Sequence, residues 1–466
     1  MGTASDQGHL AAAAGQGRSD KGANRPSTDN GKFQVDPLRR MALKNRWVQL
    51  GLGVLAMVMV ANLQYGWTLF VPPMAAEHAW PKGAIQLAFT LFVLVETWLV
   101  PVEGYFIDRF GLRPIVALGG LFVGAAWLID AKAPSLGVLY LGAVIGGIGA
   151  GIVYGATIGN AVKWFPDRRG FAAGLTAGGF GAGAALTVIP IANMIKSSGY
   201  HATFATFGII QGAVVLAVAA LLVKPPISAA DDRAATAAGD DAGAAPKVVL
   251  RTPTFYLLYG MFVMIATGGL MITAQLSVMA TDFKIADTPV SLLGISLAAL
   301  PFALALDRIF NGLSRPVFGA ISDRIGRENT MAIAFGAQAA AIVALLSLAH
   351  NAALFVVLSG LTFFTAGEIY SLFPAVCTDI FGRRFATINY GLLYTAKGVA
   401  ALLVPIGSYI TVLTGSWNAI FEVIIAFNVI TALLAVFALK PLRRQTQASL
   451  TRRLPADSAL FASVTD

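Results

Sequence analysis

Gly104-Tyr-Phe-Ile-Asp108-Arg109-Phe-Gly111-Leu-Arg113 recurs 215 residues later as Gly319-Ala-Ile-Ser-Asp323-Arg324-Ile-Gly326-Arg327. Each copy closes a long apolar run. A second pair of loops keeps the same offset, since Phe165-Pro-Asp-Arg168-Arg169 is answered by Phe381-Gly-Arg383-Arg384. Two loop types repeated at one spacing mean two copies of one structural unit, related as a parallel repeat.

The runs between these loops set the fold class. Of 466 residues, 56% are hydrophobic and only 12% charged, against about 25% charged in a soluble chain. Twelve runs reach the roughly 20 apolar residues that cross a bilayer. They are 47–71, 84–106, 113–131, 136–161, 171–195, 202–223, 254–280, 291–320, 330–349, 353–376, 388–412 and 418–439. The expectation is an all-α membrane protein with 12 transmembrane helices in two pseudosymmetric six-helix bundles, 47–223 and 254–440. Residues 224–253, rich in Ala and Asp, read as a cytoplasmic linker. Residues 1–46 read as a disordered cytoplasmic tail and 441–466 as a second tail. The single cysteine, Cys377, excludes an internal disulfide framework and reads as a packed apolar residue.

Basic residues orient the chain. Of 33 Lys and Arg, 26 fall in the two tails and in the loops after spans 2, 4, 6, 8 and 10, and four in the opposite loops. This bias puts both termini in the cytoplasm, with the protein in a cell inner membrane. The net charge of +9 then reflects topology, and nucleic acid is not an expected partner. The repeated loops have a structural reading. Asp108, Arg109, Asp323 and Arg324 are expected to latch the cytoplasmic face by capping or pairing with neighbouring helix ends.

The other three cations, Arg308, Arg315 and Lys397, lie inside apolar runs. An uncompensated cation at mid-membrane costs about 2.5–3.5 kcal/mol, so such residues face a bundle interior or a watery cavity and mark a substrate path. The simplest occupant of a positive cavity is an anion. Span 8 puts Arg308, Asn311 and Arg315 on one helix face. Span 11 puts Tyr390, Tyr394 and Lys397 on another, at i, i+4 and i+7. A carboxylate fits an arginine fork bidentately and a lysine as a point charge. Gln64 and Tyr65 in span 1, Tyr154 in span 4, Phe180 in span 5 and Tyr370 in span 10 supply walls and hydrogen-bond donors. A competing structural reading neutralises the cations internally with Asp307 or Glu368, which are also candidates to carry a proton. Span 4 places Gly147, Gly151, Gly155 and Gly159 at four-residue spacing, and span 5 adds Gly170, Gly174 and Gly178. Small residues in such stripes let helices approach closely, for sliding or for static packing.

Twelve spans, the 6+6 repeat and the Gly-xxx-Asp-Arg-x-Gly loops resemble the major facilitator superfamily over residues 45–440. Within it, the chain is similar to the bacterial oxalate:formate antiporters. The matching residues are Asn45-Arg46-Trp47, Gln64-Tyr65-x-Trp67-Thr68-Leu69, Gly151-Ile-Val-Tyr154-Gly155 and Trp164-Phe-Pro-Asp-x-Arg169-Gly170. Further along they are Phe310-Asn311-Gly312-x-x-Arg315-Pro316, Tyr370-x-Leu-Phe-Pro374 and Ala396-Lys397. The resemblance implies that Arg315 and Lys397 bind the two carboxylates of oxalate, in an aromatic cage to which Tyr65, Tyr154, Tyr370 and Tyr394 map. Some positions depart from the family. Ala366 and Tyr394 replace tryptophans, and Phe180 replaces a tyrosine. Asp307-Arg308 replaces an uncharged polar pair, and Glu368 replaces a glycine. The cage therefore looks roomier, with space for a larger carboxylate.

The function expected is secondary active transport of small carboxylate anions, as oxalate/formate-type exchange by alternating access. With both cations unpaired in the empty carrier, closure requires an anion, and so does return. The alternative is a proton-coupled monocarboxylate symporter. Proteins of that kind resemble this one around Arg315-Pro316, but they place an Asp where Asn311 stands. All four histidines lie in expected tails or loops, so no membrane-embedded imidazole relay is expected. No Gly-xxxx-Gly-Lys-Ser/Thr phosphate loop occurs, which argues against ATP-driven transport. No nucleophile–base pair, metal cluster or signalling domain is recognisable, so neither an enzyme, a cofactor nor a receptor is expected. The working unit expected is a monomer.

Overall fold

Asn45 starts the first helix. Its side-chain oxygen accepts the Trp47 backbone N–H at 2.9 Å and caps α1 (Arg46–Tyr65). The computed structural model describes residues 45–225, 243–292, 294–414 and 418–450. The first tail up to residue 44, linker residues 226–242 and the chain from 451 onward lie outside the described residues. After Gly66 the first span continues as α2 (Trp67–His78). The second span is α3 (Lys82–Trp98) and α4 (Val100–Phe110), bent by 45°. Pro101 sits at this bend and has no N–H for the carbonyl four residues earlier. Then come α5 (Leu112–Asp130), α6 (Leu136–Trp164) and α7 (Arg169–Leu221). The last of these holds two expected spans, which meet at Gly199 with φ +77°.

The second half repeats the plan. A short α8 (Pro246–Val249) precedes α9 (Pro253–Asp282). A hairpin of β1 (Pro289–Leu292) and β2 (Ile295–Ala298) leads into α10 (Ala299–Ile325) and α11 (Arg327–Leu348). One interrupted span follows, α12 (Ala352–Phe364) with α13 (Ile369–Phe381), and then α14 (Ala386–Thr414) and α15 (Asn418–Leu434). With the bent pairs joined and α7 divided, the architecture is the twelve-span, two-bundle one. By length and apolarity alone, eight helical segments among the described residues qualify as spans, or nine with the bent pair. Those that fall short include α10 and α14, which carry Arg315 and Lys397.

The repeated loop has a backbone reason for its last glycine. Gly111 and Gly326 adopt φ +100° and +91° at the ends of α4 and α10, a region that residues with a Cβ avoid. The halves meet where α7 lies along α10, and where α14 lies along α3 and α4. The glycines of span 5 allow that approach, because a Cβ on Gly174 would overlap the Arg315 carbonyl. The apolar core is continuous across the interface and includes Val100 and Tyr154 from one half, Phe373 and Tyr394 from the other. Leu186, Ile209 and Phe437 are among the large apolar side chains left exposed, as suits a chain that spans a bilayer.

Three expected boundaries shift. Span 8 begins at Ala299, because residues 289–292 and 295–298 pair as a hairpin on either side of Gly294 first. The final helix runs past residue 440 to residue 450. There Arg443 reaches Glu328 at 2.9 Å and the Gln447 side-chain amide donates to the Asp379 carbonyl at 2.9 Å. Part of the second predicted tail is therefore packed. The end of the linker is also tied down, with the Ala244 N–H on the Phe381 carbonyl at 2.8 Å.

Candidate functional site

Arg315 projects from α10 into the glycine face of α7 in the other half. A Cβ at Gly181 would lie 3.0 Å from its Cζ, so the absence of side chains on that face makes the room. The guanidinium donates to the Ala177 carbonyl at 2.6 Å and to Asn311 Oδ1 at 2.8 Å. Its Nε–H has no partner, although the residue is only 1% exposed. Tyr370, carried just after the break between α12 and α13, stacks under it with Cζ 4.4 Å from the ring centroid. Among the described residues Arg315 forms no ion pair. Its contacts are neutral acceptors and an aromatic face, and donor capacity is left over.

Lys397 is different, and here an expectation is corrected. It was expected to be unpaired, but its ammonium sits 3.0 Å from Glu96 Oε2 and 3.4 Å from Oε1. Glu96 is fully buried near the end of α3, in the opposite half. Tyr394 OH donates to Glu96 Oε1 at 3.1 Å and accepts from Lys397 at 3.0 Å. Gln64 Oε1 accepts from Lys397 at 3.4 Å. All three ammonium donors thus have acceptors. Glu96 lies in a run that carries no cation, unlike Asp307, which stands beside Arg308. The available signal was the same one that exposed the cations, a charge inside the apolar run 84–106.

An aromatic cluster joins the two cations. Tyr154 of the first half stacks on Tyr394 of the second, 4.6 Å between centroids and 19° between planes. Tyr370 and Tyr390 flank Tyr394, at 6.4 and 5.6 Å. Phe180 packs edge-on to Tyr65 and Tyr154, and Lys397 Nζ lies 5.8 Å from its centroid. Tyr154 and Tyr370 each lie within electrostatic reach of both cations. Arg308 is half-buried at the rim, with Cζ 5.0 Å from the Tyr65 centroid. Gln64, Tyr65, Asn311 and Tyr370 share that intermediate exposure. Arg315 and Lys397 do not open onto a watery vestibule here, since they are 1% and 3% exposed. The halves are closed around them.

Among the described residues Asp307 and Glu368 form no ion pair with these cations, although Glu368 lies within electrostatic reach of Arg315. Both are buried, and none of their carboxyl oxygens has a hydrogen-bond partner. Asp307 follows a direction about 100° from Arg308 on the same helix and lies near Ser359. Glu368 sits at the break before α13. The pairing expected of them is made by Glu96.

The loop motifs make contacts between the halves, with a membership different from the one expected of the latch. Asp323 accepts the backbone N–H groups of Gly170 and Phe171, both at 2.9 Å, so it caps the start of α7. Arg327 pairs with Asp323 and with Asp379, the latter at 2.9 Å. Arg169 crosses the interface to Asp379 at 2.7 Å, and Arg383 donates to the Lys163 carbonyl. Arg109 and Arg324, expected in the latch, are exposed. Arg109 reaches only Tyr105 OH, at 2.8 Å, and the Phe110 ring, and Arg324 makes no ion pair among the described residues. As next-door neighbours of the motif aspartates, they point away from the interface. The side chain of Asp108 lies outside the described residues.

Comparisons with known proteins bear on the family and the fold. The sequence profile of the Major Facilitator Superfamily matches residues 52–309 and again 260–463. The oxalate:formate antiporter of Oxalobacter formigenes is 32% identical over 420 residues, covering 90% of this chain and 97% of its own. Monocarboxylate transporter 9 of Rattus norvegicus is 32% identical, over 84 residues only, or 18% of this chain and 16% of its own. Among solved structures, the proton:xylose symporter XylE superposes with a TM-score of 0.64 at 12% identity, over 84% of this chain and 96% of that one. The human organic anion transporter MFSD10 gives 0.58 at 16% identity, over 86% of this chain and all of that one. At such identities the structures speak for the fold alone.

Proposed function

The chain belongs to the major facilitator superfamily, in its oxalate:formate antiporter family, and from that premise we propose that it exchanges small carboxylate anions by alternating access. It is a multi-pass membrane transporter of small molecules. The finer reading sets it in the cell inner membrane as a monomer, with both termini cytoplasmic. The face held by Asp323, Arg169 and Arg327 is then the cytoplasmic one, and the carrier is closed on that side.

The observation that supports carboxylate cargo is Arg315. A guanidinium buried at the junction of the halves has neutral partners and a spare Nε–H. A carboxylate is the planar acceptor that fits such a fork. It supplies the counter-charge that favours closing a dry interior over the site.

Purified protein in vesicles tests this. Uptake of labelled formate or oxalate should run at least about tenfold faster into vesicles preloaded with unlabelled anion than into empty ones. Equal rates contradict exchange, and no uptake of any small carboxylate contradicts the cargo. One observation favours a second reading. Glu96 already neutralises Lys397, so an empty carrier holds fewer bare charges than exchange requires. In that reading an inward proton gradient alone drives uptake into unloaded vesicles.

A further inference from the structure

We propose that Glu96 is a built-in second carboxylate, which makes this site selective for monocarboxylates over dicarboxylates. The proposal rests on the carboxylate reading above and adds the valence of the cargo. Two cations from the second half face the shared aromatic cluster. Between two such cations, a dicarboxylate would have one carboxylate for each. Here one of those places is taken by a side chain. Glu96 contacts Lys397 through both oxygens and takes a further hydrogen bond from Tyr394. The remaining Lys397 donors go to Tyr394 and Gln64. A cargo carboxylate reaches Lys397 only by displacing Glu96, Tyr394 or Gln64.

The charge count leads to the same result. Lys397 and Glu96 sum to zero, and Arg315 leaves one positive charge without an ion pair. Among the described residues no other acidic group forms an ion pair with either cation. Asp307, Glu368 and Glu103 are buried without ion pairs or hydrogen bonds to their carboxyl oxygens. Arg308 is half-buried at the rim, where solvent screens it. One monoanion therefore completes the site. A dianion either leaves a negative charge buried without a partner or expels Glu96 from Lys397, and each is penalised. Glu96 works on selectivity through Lys397 and so is a positioning residue.

Thermal stabilisation of the purified full chain by ligands of matched carbon number provides the test. Acetate is set against oxalate, and propionate against malonate. In the wild type, the monocarboxylate should reach half-maximal stabilisation at a concentration at least about tenfold lower than its dicarboxylate. Glu96→Gln should reverse the ratio, because it restores a second free cation. The double variant Glu96→Gln/Lys397→Gln removes both charges and should bind more weakly while keeping the wild-type preference. A structural role for Glu96 would not produce that pattern.

If no carboxylate stabilises the wild type, the carboxylate reading itself falls. If the wild type responds to oxalate and malonate as well as to their partners, that reading stands and the role of Glu96 is overturned. An unchanged ratio in Glu96→Gln overturns it too, as does a double variant that prefers dicarboxylates. Should Glu96→Gln fail to fold, the wild-type ratio and the charge-neutral double variant still decide.

Discussion

Arg315 and Lys397 are matched in position and opposite in company. Both are buried cations on helices of the second half, and both reach across to the first. Arg315 meets a backbone carbonyl and an amide oxygen there and on its own helix. Lys397 meets a carboxylate. A buried cation with neutral acceptors still attracts an anion, whereas one in a hydrogen-bonded ion pair is largely satisfied. On the reading proposed here, the same chemistry yields a docking point in one place and an inter-bundle tie in the other. Removing each cation should expose the difference.

The largest effect is expected from Arg315→Gln. Truncating one side of a buried, hydrogen-bonded charge contact costs about 2–5 kcal/mol, and each 1.4 kcal/mol is a factor of ten. Carboxylate affinity should fall about 100-fold, read by ligand-induced thermal shift. The melting temperature of the unliganded protein should change little, because no carboxylate loses its partner. Lys397→Gln should do the reverse. It strands Glu96 in the interior, at a cost of about 3–5 kcal/mol to stability. The unliganded protein should melt several degrees lower, with most of that loss recovered in Glu96→Gln/Lys397→Gln. If the two single variants have equal effects on melting, the contrast between the two cations fails.

That contrast also shows where sequence reading stops. The repeat, the twelve spans and the two cation-bearing helix faces follow from spacing along the chain. So does the glycine that ends each repeated loop, because φ +100° at Gly111 and +91° at Gly326 is a local backbone requirement. Glu96 and Lys397 are 301 residues apart, and no local period connects them. Only the packing of α14 against α3 and α4 brings them together. The latch divides the same way. Asp323 caps a helix end as its motif implies, but Asp379, which gathers Arg169 and Arg327, belongs to no repeated motif. The hairpin at 289–298 was hidden by an apolar run that suits a strand as well as a helix.

A smaller effect is expected at the latch, which compares the closed face with the site above it. Asp323→Asn keeps the shape but removes the charge that holds two α7 N–H groups and Arg327. Charged contacts at a helix start are worth about 0.3–2 kcal/mol, so closure should weaken without unfolding. Cys377 reports on this directly, being the chain's single cysteine and 1% exposed on α13. Maleimide labelling of its thiol should speed up several-fold in Asp323→Asn. Arg324→Gln, on an exposed residue outside the latch, should label at the wild-type rate. Faster labelling in Arg324→Gln would mean that the latch extends beyond the contacts seen here.

The smallest effect is expected at the third cation, which lies between the other two cases. Among the described residues Arg308 forms neither an ion pair nor a hydrogen bond to buried acceptors. It lies half-buried over Tyr65, with Cζ 5.0 Å from the ring centroid. Such a contact is worth about 0.5–1 kcal/mol near solvent. A charge at the rim mainly raises the local anion concentration, an influence that salt screens with a Debye length of about 10 Å at 0.1 M and 3 Å at 1 M. Arg308→Gln should therefore slow the initial uptake of labelled formate two- to fivefold at low ionic strength. At about 1 M potassium chloride, where rim charges are screened, it should match the wild type. Arg315→Gln should stay impaired at both salt concentrations, because its guanidinium is 1% exposed. A salt-independent, 100-fold loss in Arg308→Gln would move that residue from the rim into the binding fork, adding a second unpaired cation and undoing the single-charge count of the site.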